Sequence, residues 1–266
     1  MDYYHFKRMS SGQHSPRTGA SRQSVARSTS SLPLSQLGRR LQNFSRRNLA
    51  ADFRGLVSKG RAFNHDTPAW ASRGDLGHIA VLEEGWAYKF TIMPKGQRHI
   101  AELYGPGSIV NWSRLSSFIE QDDVLFKAHS RVSYLDRHAL TDLLRANTAL
   151  ETAVKRHELA RAMRASQRTR ALISLPATER LLFLFLDLVN EYHAVGHTHE
   201  WLRLPFVQSE IADFIGMTPV HISRTLKSLV EGGIVQRSAS RFRFTDIGKT
   251  EGSLDYRRYF DAPVPR

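Results

Sequence analysis

One stretch of this chain constrains its fold more than any other: Val207 to Leu229. Ile211, Ala212 and Ile215 fall on one side at helical spacing. Gly216 follows, where a helix end asks for left-handed backbone. Thr218 then offers a side-chain N-cap and Pro219 a natural first helical residue. Two short helices joined by so tight a turn make a helix-turn-helix unit. At about 100° per residue, Ile222, Leu226 and Leu229 share the core side of the second helix. Val220, Arg224 and Lys227 point the other way, with Ser223 beside them. Beyond Gly232-Gly233, the runs Ile234 to Arg237 and Arg241 to Phe244 flank Ser238-Ala239-Ser240, which predicts a β-hairpin. Phe242 and Phe244 are expected inside, Arg241 and Arg243 outside. A basic hairpin after such a helix reads as a wing that touches phosphates.

Charge points the same way. Across 266 residues, 38 Lys and Arg face 25 Asp and Glu, a formal net charge of +13. That excess favours a polyanionic partner: DNA, RNA or an anionic membrane surface. The longest apolar run, Leu181 to Leu186, lies between Arg180 and Asp187 and is far short of the roughly 20 residues a membrane span needs. It reads as one buried face of a helix, and no membrane partner is expected. The chain has no cysteine, which excludes disulfides, thiolate zinc sites, iron–sulfur clusters and a cysteine nucleophile. The same absence fits a reducing cytoplasm. His193, His197 and His199 sit in a Gly-containing loop with Glu200 as the only close carboxylate, so they read as solvated histidines and no metal is expected. Asp122 and Asp123 are adjacent, and neighbours in a strand point to opposite faces, so they do not form an acid–base pair. No catalytic site is expected, and an enzyme is not the reading.

The rest of the chain divides by composition. Residues 1–33 are rich in Ser, Arg and Gln and predict a disordered basic tail. Residues 34–136 predict a β-roll domain: short apolar runs alternate with Glu84-Gly85, Pro94-Lys95-Gly96 and Gly105-Pro106-Gly107, which suits an antiparallel β-roll or jelly roll. Its expected strands include Ser108 to Trp112. Residues 137–173 hold no Gly or Pro and predict one long helix, broken if anywhere near its end. Leu143, Ala146, Leu150, Ala153, His157 and Ala160 alternate at spacings of three and four, a thin coiled-coil-like seam expected to meet a second copy, with packing of the helix on its own β-roll as the alternative. Pro176 restarts a helix to about Tyr192, and His193 to Leu204 is a loop or short hairpin. The winged unit is expected over 174–246 and a C-terminal tail over 247–266. The fold class is α+β.

These motifs together resemble the cyclic-AMP receptor protein / fumarate–nitrate regulator (CRP/FNR) superfamily of bacterial transcription factors. The resemblance is carried by Gly85-Trp86-Ala87-Tyr88, Pro94 to Ile100, Pro106-Gly107, Ala177 to Leu182, and above all Ile211-Ala212 through Ser223-Arg224-Thr225-Leu226. It implies a cyclic-nucleotide-binding-like roll, a homodimer joined along the long helix, a palindromic double-stranded DNA operator, and RNA polymerase as a partner. It places Arg224 at the family's guanine-reading position, with Val220 where many members carry Glu. Base reading is therefore expected from Val220, Ser223 and Arg224, and phosphate contacts from Gln208, Ser209, Thr218, Lys227, Arg241 and Arg243.

The departures are informative. Members that bind a cyclic nucleotide hold its phosphate with Arg followed by Ser or Thr; the corresponding positions here are Asp122 and Asp123, so cyclic AMP is not expected. Arg114 and Lys127 are the nearest cations that could substitute. Without cysteine, the iron–sulfur cluster of some members is excluded. Cofactor-binding residues stay undetermined, and a heme- or small-molecule-sensing roll using Trp86, His99, Tyr104 and Trp112 is an open alternative. A second alternative is non-specific nucleic-acid binding through the tail, since residues 1–47 hold nine Lys and Arg. Val207 stands where a capping Thr is usual, so the first helix is expected to be weakly capped.

Overall fold

The Gly- and Pro-punctuated region forms two antiparallel sheets. In the computed structural model, residues 34–261 are described apart from 46, 48, 54, 70–76, 111, 114–121 and 199. The expected basic tail lies outside the described residues. The strands are β1 (Val57–Phe63), β2 (Thr67–Pro68), β3 (His78–Glu84), β4 (Ala87–Ile92), β5 (Arg98–Tyr104), β6 (Asp123–Phe126) and β7 (Ser130–Asp136). One sheet runs β1-β7-β3 and the other β2-β6-β4-β5. Residues of both sheets, among them Phe63, Leu82, Ala87, Tyr104, Phe126 and Val132, close over a shared core. Phe63 and Phe126 stack there at 5.2 Å.

Two strand expectations change. Ser108 to Trp112 is not a full strand: it meets β3 through a single bridge, Val81 with Ile109, and through hydrogen bonds from Leu82 to Ser108 and from Val110 to Ala80, each 2.9 Å. The Pro106-Gly107 turn explains this. Gly107 has φ +78°, and a Cβ there would lie 2.5 Å from the Gln36 carbonyl oxygen, so the turn is seated on a helix rather than extended into the sheet. That helix is α1 (Ser35–Gln42). Strand β1 was not among the expected strands, because Ser58-Lys59-Gly60-Arg61 breaks the apolar alternation on which such expectations rest.

The long helix is two helices, α2 (Arg137–Ala146) and α3 (Thr148–Ser174). The break falls near the start and not the end. Asn147 leaves helical geometry and its side chain accepts from the Leu150 amide at 3.1 Å, capping α3. Asp136 caps α2 in the same way, accepting from Ala139 at 2.8 Å. The expected dimer seam also changes. Leu143 is half-buried and Ala146 exposed on α2, while Leu150, Ala153 and His157 are fully buried against the same chain. Their neighbours are Leu34, Leu37, Leu41, Phe44 and Phe53. From Leu150 onward the stripe is therefore an intramolecular face.

Helix α4 (Ala177–His193) is buried all round from Leu181 to Glu191, not on one face. It lies between α3 and the helices of the C-terminal unit, so every side of it has a neighbour. The C-terminal unit comprises α5 (Gln208–Ile215), α6 (Pro219–Glu231) and a three-stranded sheet, β8-β10-β9, from β8 (Leu202–Arg203), β9 (Val235–Ser238) and β10 (Arg241–Phe244). The expected C-terminal tail is instead structured through residue 261. Helix α7 (Ile247–Ser253) leads to a segment that buries Tyr256 and Phe260. Phe260 stacks on His157 at 5.5 Å and meets the edge of Phe44. Among the described residues, no helix is long and apolar enough to cross a membrane.

Candidate nucleic-acid interface

The helix-turn-helix forms as its sequence dictates. Gly216 takes φ 67° and ψ 47°, a left-handed cap that non-glycine residues adopt only with strain. The Met217 amide closes the turn on the Ala212 carbonyl at 3.0 Å. Thr218 caps α6, accepting from the His221 amide at 3.3 Å, with Pro219 first in the helix. Ile222, Leu226 and Leu229 are buried, and they share a core with Ile211, Ala212, Phe214 and Ile215. Burying the Ile, Leu and Phe side chains among them stabilises the unit by about 1.5–3 kcal/mol each.

The outer face of α6 is open. Val220 is 62% exposed, and His221, Ser223, Arg224, Lys227 and Ser228 are exposed around it. Lys227 pairs with Glu231 one turn on, at 3.6 Å, a contact worth only tenths of a kcal/mol on a solvated helix. Gln208 and Ser209 are exposed at the start of α5, where helix dipole and free amides favour a phosphate.

Val207 lacks an acceptor, but α5 is not left uncapped. Glu210 supplies half of a capping box, its Oε2 accepting from the Val207 amide at 2.9 Å. The wing hairpin forms between β9 and β10, with Phe242 fully buried and stacked on Phe185 at 4.4 Å. Arg241 points outward. Arg243 does not share that freedom: it donates to Gln236 at 2.7 Å, pairs with Glu200 and covers the Trp201 ring. Its expected phosphate role would compete with these contacts. Strand β8, within a stretch expected to be a loop or short hairpin, gives the wing its third strand.

In the roll, the aromatic and His residues considered for a ligand do not converge. Trp86 packs on Tyr192 and Phe206. Tyr104 donates to Glu102 at 2.9 Å beneath Arg161. His99 is exposed, and Trp112 packs on the separate core around α1. Asp122 accepts from Thr91, Lys127 pairs with Asp66 and Glu210, and Arg114 lies outside the described residues. His193 meets Arg258 at 3.3 Å, and His199 also lies outside the described residues.

Two polar networks that the sequence did not announce hold the unit in place. Glu210 and Asp213, one turn apart on α5, face the roll. Glu210 Oε1 accepts from Lys127 Nζ at 2.7 Å and from the Tyr88 hydroxyl at 3.0 Å. Arg98 donates to Asp213 at 2.7 Å and to the Tyr88 oxygen at 2.8 Å. Burial and the neighbouring Glu210 push the Tyr88 hydroxyl pKa up, so Tyr88 stays a donor. The second network surrounds Glu191 on α4. Arg40 of α1 reaches it at 2.7 Å, Arg164 of α3 also binds it, and the Gly105 amide donates at 2.9 Å. Arg164 also meets Asp187, which accepts from Tyr256 at 2.9 Å. Burial alone would raise the Glu191 pKa, but Arg40 and Arg164 outweigh it and hold it down to about 2. Sequence offered one signal, Glu210 at the third helical position of α5.

Residues 179–249 match the Crp-like helix-turn-helix domain. The chain is 22% identical over 193 residues to the anaerobic regulatory protein of Haemophilus influenzae, covering 72% of this chain and 75% of that one. It is 24% identical over 185 residues to the regulatory protein HlyX of Actinobacillus pleuropneumoniae, covering 68% and 75%. Its fold is similar to that of FixK2 from Bradyrhizobium japonicum, with a TM-score of 0.64 at 16% identity over 79% of this chain and all of that one. A helix-turn-helix with an open, cationic second helix, set beyond an antiparallel roll and a long helix, thus makes residues 179–249 a Crp-like helix-turn-helix domain, in a chain similar over about two thirds of its length to the regulatory proteins named above.

Proposed function

We propose that this protein is a sequence-specific DNA-binding transcriptional regulator that acts in the cytoplasm, as a homodimer on a palindromic operator, in concert with RNA polymerase. The observation that carries this reading is the outer face of α6. Arg224 is exposed there and no ion pair engages it among the described residues, with Ser223 beside it and the apolar Val220 one turn back. A guanidinium so placed can make the bidentate pair with guanine O6 and N7, and Val220 can meet a thymine methyl. Arg241 on the wing and the amide end of α5 suit the flanking phosphates.

The effector is not cyclic AMP in this reading. A cyclic phosphate leaving water needs a paired cation and donors. Asp122 and Asp123 supply the opposite charge, and Lys127 is already engaged by Asp66 and Glu210. Calorimetry with cyclic AMP is expected to give no heat of binding; saturable micromolar binding would refute this part.

Site selection from a random duplex pool tests the main claim. The wild-type protein should return a two-fold symmetric motif. Arg224→Ala should flatten preference at one position of each half-site, a loss of about 1–3 kcal/mol of discrimination. An unchanged motif from the variant would remove Arg224 from the reading face.

A further inference from the structure

The contacts of α5 with the roll are unusual for a reading head that need only touch DNA. Glu210 is almost wholly buried, with 5% of its side chain exposed, and both its oxygens are used: one caps its own helix, the other binds Lys127 and Tyr88. Asp213 and Arg98 sit beside it, each less than a third exposed. Tyr88 links the two pairs, accepting from Arg98 and donating to Glu210. Beneath them, Phe206 meets the edges of Trp86 and Tyr88, and Arg168 of α3 covers Phe214 of α5 at 3.9 Å. Acid groups lie on the head and cations on the roll, so the match is directional. An ion pair with low exposure and fixed partners specifies orientation more than it adds stability.

We propose that the Lys127–Glu210 and Arg98–Asp213 pairs, joined through Tyr88, form a positioning clamp that fixes the angle of the reading head on the roll and so sets which separation of DNA half-sites a dimer accepts. This rests on the dimeric DNA-reading role proposed above. Gln208 and Ser209 start the same helix that carries Glu210 and Asp213, so a tilt of α5 moves the phosphate-facing end and α6 together. In a dimer, two such tilts change the distance between the two α6 helices. Half-sites follow the duplex at one helical turn, about 34 Å, so a small angular error is read as a wrong spacing.

A charge swap tests this. Arg98→Asp, Asp213→Arg and the double variant are made in the full chain. Hydrogen exchange without DNA is followed at the amides of α5. In parallel, binding is measured to symmetric duplexes whose half-sites are moved apart one base pair at a time. Each single reversal should raise exchange in α5 and reduce the preference for one spacing roughly tenfold, the size of coupling a contacting pair can carry. Base preference at the position read by Arg224 should be unchanged. The double variant should restore both readouts. Single reversals that leave exchange and spacing preference at wild-type values would overturn the clamp. Raised exchange with an unaltered spacing preference would overturn its positioning role. A wild-type protein with no sequence preference at all would overturn the DNA-reading role instead, and the exchange pattern would separate that failure from failure of the clamp.

Discussion

Phe260 shows what a single residue near the C-terminus contributes. It is fully buried, lies against His157 and Phe44, and is approached by the guanidiniums of Arg40 and Arg164 at 5.1 and 5.5 Å. The approach to it is fixed by Gln167, whose side-chain amide accepts from the Arg257 amide at 2.8 Å and donates to its carbonyl at 3.3 Å. Truncating a buried phenylalanine leaves a cavity and costs about 3–5 kcal/mol. Phe260→Ala should lower the unfolding free energy read from urea titration by that amount, moving the midpoint with a nearly unchanged slope; a change within about 0.5 kcal/mol, the range of a surface substitution, would place the segment outside the cooperative core. In sequence these residues resemble a tail, because Pro263 and Pro265 and the isolated aromatics carry no period. Burial of Phe260 depends on partners about 100 residues or more away, in and beside α1 and in α3.

At the level of elements, α3 is the instructive case. Two stripes run along it with the same three-and-four spacing. Leu150, Ala153, His157, Ala160, Arg164, Gln167 and Ala171 form the inner one, and all are buried. Thr152, Arg156, Leu159, Met163, Ser166, Arg170 and Ile173 form the outer one, and all are exposed. Periodicity alone cannot rank two stripes that share a period. The inner stripe begins on a leucine, which favours it as a seam in sequence, yet its small residues suit close packing on α1. The outer stripe presents Leu159, Met163 and Ile173 at 61%, 44% and 79% exposure, the apolar surface a second copy can cover. Leu159→Asp with Met163→Asp should therefore convert a dimer to folded monomers and weaken operator binding together, as read by sedimentation and circular dichroism. Leu150→Asp should instead unfold the chain, since it buries a charge without a partner. A double variant that sediments as a dimer would move the interface off this stripe.

Across the whole molecule, one core joins the roll to the reading head. Trp86, Tyr88, Ile100 and Leu103 of the roll share it with Leu181 to Leu186 of α4 and Ile211, Leu226 and Phe242 of the head. A half-buried and a buried carboxylate, Glu102 and Glu191, reinforce it and give it a pH signature. For Glu102, burial favours the neutral acid, but Arg161 and Lys89 outweigh burial and hold its pKa to about 2; Glu191 behaves alike. Both pKa values are depressed on folding, so their stabilisation is complete above the unfolded value of about 4.3 and is lost as pH falls toward 2. Stability to urea should decline steeply across that window. Glu102→Gln should flatten the decline while lowering stability at neutral pH, because Arg161 keeps its burial and loses its partner. An acid profile identical to wild type would show that Glu102 does not carry it.

The helix-turn-helix was legible because every device that makes it is local. Gly216, Thr218 and Pro219 act on their own backbone within a few residues, and Ile222, Leu226 and Leu229 declare a helical period. Strands β3 to β7 were legible for the same reason, each bounded by its own turn residues. Tertiary structure decided what needed a distant partner. It chose which stripe of α3 faces inward, engaged Arg243 with Glu200 and Gln236, and folded the C-terminal segment back onto α3. It also brought Lys127 and Arg98 to Glu210 and Asp213, across 83 and 115 residues of chain. A charge or an apolar side chain at one position is equally compatible with solvent and with a partner. Only the packed chain, by removing water from one of the two, makes the difference a matter of several kcal/mol.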